Sequence, residues 1–150
     1  MNLTDNLKLE NQLCFALYAC SREITRLYRP VLDQFGITFP QYLTLLVLWE
    51  HNRLTVKEIG DLLYLDSGTL TPMLKRMETM DLVKRVRAMD DERKVWIEIT
   101  EKANELKNEA VCIPQMCSPH FGITHEEYVD LMAQLKQILG NLQKETRNIK

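Results

Sequence analysis

The chain has 150 residues, of which 45% are hydrophobic and 27% charged, and its formal net charge is −2. This is the composition of a folded chain rather than a disordered one, and it suits one domain, or a small domain with dimerisation helices. A near-neutral balance excludes a uniformly basic binder, so any nucleic-acid surface must be local.

The N-terminus lacks the apolar run of a signal peptide, and the longest apolar stretch, Leu43 to Trp49, is too short to span a bilayer. A cytoplasmic address without membrane association is expected. In that reducing setting Cys14, Cys20, Cys112 and Cys117 are not read as static staples. Residues 7 to 35 read as helix, with apolar positions at Leu9, Leu13, Leu17, Ile24, Leu27 and Val31, and Pro30 is expected to kink or end it. A second helix starts at Thr38, where Thr38-x-x-Gln41 has capping-box spacing, and buries Tyr42, Leu45, Leu46 and Trp49. Thr55-x-x-Glu58 caps a short third helix carrying Val56, Ile59, Leu62 and Leu63.

The fourth helix, from about Ser67 to Thr79, turns Leu70, Leu74 and Met77 inward. Pro72 predicts an irregular first turn or a later start. Val95, Ile97 and Ile99 alternate with polar or amphipathic neighbours, a half-buried strand whose partner is Val83 to Arg87, with Ala88 to Arg93 at the tip. Thr100 caps a helix running to about Cys112 or beyond, where Pro114, Pro119 and Gly122 signal a break. Thr124-x-x-Glu127 opens the last helix, with Tyr128, Leu131, Leu135, Ile138, Leu139 and Leu142 on one face.

A helix that opens with small hydroxylated residues, followed by a basic hairpin, is the layout of a winged helix-turn-helix. The expected fold is mainly α with a small β wing. The chain is read as a single domain, with the winged helix at about 38–100 and dimerisation helices at about 7–35 and 101–148. The long amphipathic flanks predict a homodimer that addresses double-stranded DNA at an inverted repeat about one turn apart. Ser67, Thr69, Thr71 and Pro72 are placed for major-groove edges and thymine methyls, Lys75 and Arg76 for phosphates. Arg85, Arg87 and Lys94 are read as backbone contacts.

Several stretches resemble the MarR family: Leu9 to Phe15, Tyr28-Arg29-Pro30, Thr38 to Tyr42, Leu65 to Glu78 and Asp90-Asp91-Glu92-Arg93. Within it they are similar to the organic-hydroperoxide-sensing OhrR branch, including the MgrA- and SarZ-like thiol regulators. The resemblance runs from about residue 9 to 114. It implies a homodimeric repressor that releases operator DNA when a thiolate near the start of the first helix is oxidised by organic hydroperoxide. By position that cysteine is Cys14, and the tyrosine bonding it across the dimer interface is Tyr28. A second tyrosine of the family is Phe39 here, which cannot donate a hydrogen bond. Arg93 matches the family's wing-tip residue in an A·T-rich minor groove, with Asp91 orienting its guanidinium.

Peroxide chemistry requires a thiolate, which passes first to a sulfenic acid. Cys20 is six residues along the same helix, about 9 Å of rise, on another face, and is read as packing. The two-cysteine branch of the family implies Cys117 as resolving partner in an intersubunit disulfide, with Cys112 as backup. No cofactor is expected. One alternative is a metal-responsive regulator, released by metal binding at Cys112, Cys117, His120 and His125, although their spacing matches no familiar zinc arrangement. A relative released by a small phenolic ligand is the other alternative. No hydrolase or thiol-peroxidase motif is present, so an enzyme is not expected.

Overall fold

The structure is a computed structural model that describes residues 3–149. It forms two compact units, one running to Met116 and one from Cys117. The first unit opens with 3-10 turns at Leu3–Leu7 and Leu9–Asn11, then helix α1, Leu13–Asp33. The helix therefore starts later than residue 7, because Gln12 is extended (φ −95°, ψ 112°). It also runs on through Pro30. The bond that Pro30 removes falls on the carbonyl of exposed Arg26, where water can replace it.

Helix α2 (Phe39–His51) and helix α3 (Val56–Leu63) both begin with complete capping boxes. The Thr38 N–H donates to Gln41 Oε1 at 3.0 Å, and the Thr55 N–H to Glu58 Oε2 at 2.7 Å. Strand β1, Arg53–Thr55, separates the two helices; at three residues it is too short to show alternation, and sequence reading missed it. Helix α4 is Ser67–Thr79, β2 Val83–Arg87 and β3 Val95–Ile99. The sheet order is β1-β3-β2, antiparallel throughout, pairing Arg53 with Glu98 and Val86 with Trp96.

The core gathers Leu45 and Leu48 of α2, Ile59 of α3, Leu70, Leu74 and Met77 of α4, and Val83 and Ile97 of the sheet. Leu46, expected inside, is exposed, and so is Leu62 of α3. In α2 apolar residues surround the helix, so spacing alone does not pick the buried face. Trp49 Nε1–H donates to the Ala103 carbonyl at 2.9 Å, tying α2 to α5, Glu101–Ala110.

Helix α5 stops short of Cys112, four residues before Pro114. The proline has no N–H for the Ala110 carbonyl and its ring crowds that group. Pro114 itself lies inside the short helix α6, Cys112–Cys117. The second unit continues with a 3-10 turn at Ser118–Phe121 and a left-handed Gly122 (φ 65°). Helix α7, His125–Asn148, follows a third capping box at Thr124 and Glu127 and has no buried residue. No described helix is long and apolar enough to cross a membrane.

Candidate nucleic-acid interface and thiol site

Helix α4 begins where Asp66 accepts the Thr69 N–H at 2.8 Å, and its first turn is regular from Ser67 despite Pro72. That bond from Thr69 is the main reason the Asp66 carboxyl is held below its usual range. Pro72 is the sixth residue of the helix and exposed, so the bond it removes is lost on the solvent side. Two hydroxyls are turned back into the helix. Thr69 Oγ1–H donates to Asp66 Oδ2 at 3.1 Å and Thr71 Oγ1–H to the Ser67 carbonyl at 2.7 Å. Their donor hydrogens are used internally, leaving an acceptor oxygen and a methyl to present outward.

A cleft of about 720 Å³ lies between α3, α4 and the wing. It brings together Ser67, Thr71, Arg85, Asp91, Arg93 and Lys94 of the residues chosen from sequence. Thr69, Pro72, Lys75, Arg76 and Arg87 are exposed but do not line it. Lys57 does line it and sequence reading missed it; a lysine in the first turn of a capped helix that abuts α4 was the available signal.

The wing is fixed by backbone contacts. The Arg85 N–H donates to Glu78 Oε2 at 2.8 Å, and the Arg93 N–H to Asp91 Oδ1 at 2.9 Å. Asp91 thus holds the backbone of Arg93, and no ion pair joins their side chains among the described residues. Lys94 Nζ stands 4.6 Å from the Trp96 ring centroid and Arg53 Cζ 4.3 Å, with Arg53 also paired to Glu98 at 3.2 Å.

All four cysteines are free. Cys14 is the second residue of α1 and is exposed. Cys20 is exposed as well, so it does not pack within the single chain as expected. Tyr28 and Phe39 meet edge-to-face with centroids 5.4 Å apart, and Tyr42 stands 6.1 Å from Tyr28. Cys112 is half-buried, its thiol 3.1 Å from the Glu109 carbonyl. Cys117 is 1% exposed, and burial pushes its thiol pKa up. Among the described residues no group of three or more His, Cys, Asp or Glu is arranged to hold a metal ion.

A helix-turn-helix with a basic hairpin packed beside its second helix defines a winged-helix protein, and the comparisons agree. The sequence model of the transcriptional regulator SarA/Rot family matches residues 26–110. The chain is 55% identical over 141 residues to the organic hydroperoxide resistance transcriptional regulator of Bacillus subtilis, covering 94% of this chain and 93% of that one. Reduced AbfR bound to DNA superposes with a TM-score of 0.78 at 39% identity, covering 93% of this chain and 97% of that one. Disulfide-formed AbfR gives 0.62 at 38% identity, covering 91% and 96%. AbsC, a MarR family regulator from Streptomyces coelicolor, shares the fold at 23% identity, with a TM-score of 0.77 over 86% of this chain and 90% of that one. The chain belongs to the SarA/Rot family of transcriptional regulators, and it shares the winged-helix fold of the MarR-family structures.

Proposed function

We propose that this chain is a homodimeric repressor that binds an A·T-rich inverted repeat in double-stranded DNA and releases it when an organic hydroperoxide oxidises Cys14. The observation that carries the DNA reading is the cleft joining the start of α4 to Arg85, Arg93 and Lys94 of the wing. Helix α4 would enter the major groove, with Ser67, Thr69, Thr71 and Pro72 on base edges and Lys75 and Arg76 on phosphates. Arg93 would reach the adjoining minor groove, while Arg85, Arg87 and Lys94 hold the backbone.

Dimerisation is supported by the apolar side chains left uncovered in the single chain. Leu9, Leu13 and Tyr18 near the start, and Leu131, Leu139 and Leu142 of α7, are all exposed. Such stripes favour burial against a second copy.

The redox step balances in two stages. The Cys14 thiolate attacks the peroxide O–O bond, giving Cys14–SOH and, after protonation, an alcohol. The Cys117 thiol of the other subunit then attacks the sulfenic sulfur, forming the disulfide and expelling water. The exposed Cys14 suits the first stage. Tyr28 would donate to the thiolate, and Phe39 would pack against Tyr28 without donating. Because Cys117 is buried with a raised pKa, the second stage requires local opening around it, which draws the chain away from the DNA-binding arrangement. AbfR, similar along its whole length, has been solved reduced on DNA and in a disulfide form.

Non-reducing electrophoresis after one equivalent of hydroperoxide tests the pairing. Parent protein and Cys112→Ser should run as covalent dimers, and Cys117→Ser as monomer. A covalent dimer that survives Cys117→Ser would transfer the resolving role to Cys112.

One observation favours release by a small ligand as a second reading. A cleft of about 550 Å³ is lined by Arg22, Arg26, Arg29, Phe39 and Pro40, a setting for an aromatic anion such as a phenolate. On that reading Cys14→Ser leaves derepression intact.

A further inference from the structure

Among the described residues three that are not glycine adopt positive φ: Asn52 (61°), Tyr64 (57°) and Asp81 (59°). Asn and Asp tolerate this region because a short polar side chain bonds locally, whereas a bulky aromatic does not. Tyr64 closes α3 in the left-handed conformation (ψ 37°), the position where helices favour glycine.

The turn around it is tightly held. The N–H groups of Tyr64 and Leu65 both donate to the Gly60 carbonyl, the latter at 2.9 Å. A Cβ on Gly60 would meet the Leu65 carbonyl oxygen at 2.6 Å, so the chain crosses itself closely here. The strain at Tyr64 is not repaid by burial, since the residue is 54% exposed. Two residues later Asp66 starts α4, whose first turn carries Ser67 and Thr69. A strained, solvent-facing phenol therefore stands on the turn that delivers the recognition helix.

We infer that Tyr64 is a further DNA-contacting residue, its hydroxyl donating to a backbone phosphate at the edge of the major groove that α4 enters; this rests on the DNA-binding reading above. A phenol O–H on a charged phosphate oxygen is a charge-assisted bond, and a side chain on a rigid turn loses little freedom in making it. Contacts of this kind fix register rather than sequence.

The test uses the full-length dimer and a duplex carrying the A·T-rich inverted repeat of the gene's own promoter. Tyr64→Gly should unfold at an equal or higher urea concentration than the parent, because glycine relaxes the left-handed backbone. Its DNA affinity should nevertheless fall about tenfold. Tyr64→Phe keeps the ring and the strain, and should lose affinity to a similar extent. Neither variant should change the salt dependence of binding, since the hydroxyl carries no charge. Parent-like affinity in both variants overturns the inference, and so does a lower urea midpoint for Tyr64→Gly, which would assign the ring a packing role. If the parent itself fails to bind the duplex, the DNA-binding reading falls together with the inference. If the parent binds and both variants match it, only the role of Tyr64 falls.

Discussion

Glu78, in the last turn of α4, accepts the backbone N–H of Arg85 in β2 at 2.8 Å, so the recognition helix and the wing are joined by a side chain that contacts neither tip. In sequence Glu78 looks like an ordinary surface acid on an exposed helix face. Its position makes it a strut. Glu78→Ala should cost about 1 kcal/mol of stability, the usual worth of one such bond. It should also weaken DNA binding several-fold, because the wing would lose its register against α4. Glu78→Gln keeps an acceptor oxygen and should restore most of both losses. Urea denaturation and fluorescence anisotropy read the two quantities separately.

The wing tip should be more sensitive than the wing base. Arg93→Ala should lower affinity about tenfold or more, the range of a specific groove contact, and should relax the preference for A·T-rich DNA. Lys84→Ala, at the far end of β2 opposite Glu98, should have little effect. Equal losses in the two variants would contradict the placement of the tip in the minor groove.

Acid should loosen the helix-turn-helix from its caps. Glu58 is held below its ordinary value of 4.5, first by the Thr55 backbone N–H and then by the Thr55 hydroxyl, and Asp66 is held below 3.8 by Thr69 in the same order. Both shifts favour the ionised carboxylate in the folded chain. Their stabilisation is therefore complete above the unfolded values and is lost as pH falls through the lower folded ones. Stability from these groups should be level above about pH 5 and decline below about pH 4. Glu58→Gln with Asp66→Asn should flatten that decline in urea titrations at a series of pH values.

Gly60 should not tolerate a side chain. Gly60→Ala places its Cβ 2.6 Å from the Leu65 carbonyl and 3.2 Å from Leu70 Cδ1, so backbone must shift in the turn before α4. A loss of about 1–3 kcal/mol is expected, the usual cost of overpacking. Thermal or urea unfolding measures it directly.

Much of this was legible because local signals agreed with tertiary demands. The three Thr-x-x-Glu/Gln boxes at Thr38, Thr55 and Thr124 each mark a helix start, and Val95, Ile97 and Ile99 betray the strand that pairs with Val83 to Arg87. What escaped depends on contacts distant in sequence. Strand β1 exists because Leu54 finds Ile97, not because three residues show a pattern. The exposure of Leu46 was hidden by a helix apolar on every side. Pro72 suggested an irregular start that the Asp66 cap overrides, while Pro114 broke its helix four residues earlier than a reader places a proline break. At the candidate site, the tip and helix residues were visible as motifs. Lys57 carried a signal in its capped helix that went unused, whereas the Glu78 strut and the left-handed Tyr64 were visible only once the chain was folded.

In the proposed mechanism Cys14 converts peroxide into loss of DNA binding. Fluorescence anisotropy on the promoter's inverted repeat, with stoichiometric cumene hydroperoxide followed by dithiothreitol, tests it most directly in the parent and in Cys14→Ser. Release and recovery are expected in the parent, and binding in Cys14→Ser that ignores both reagents. A parent that stays bound under oxidant, or a Cys14→Ser protein that is released as readily, would contradict it.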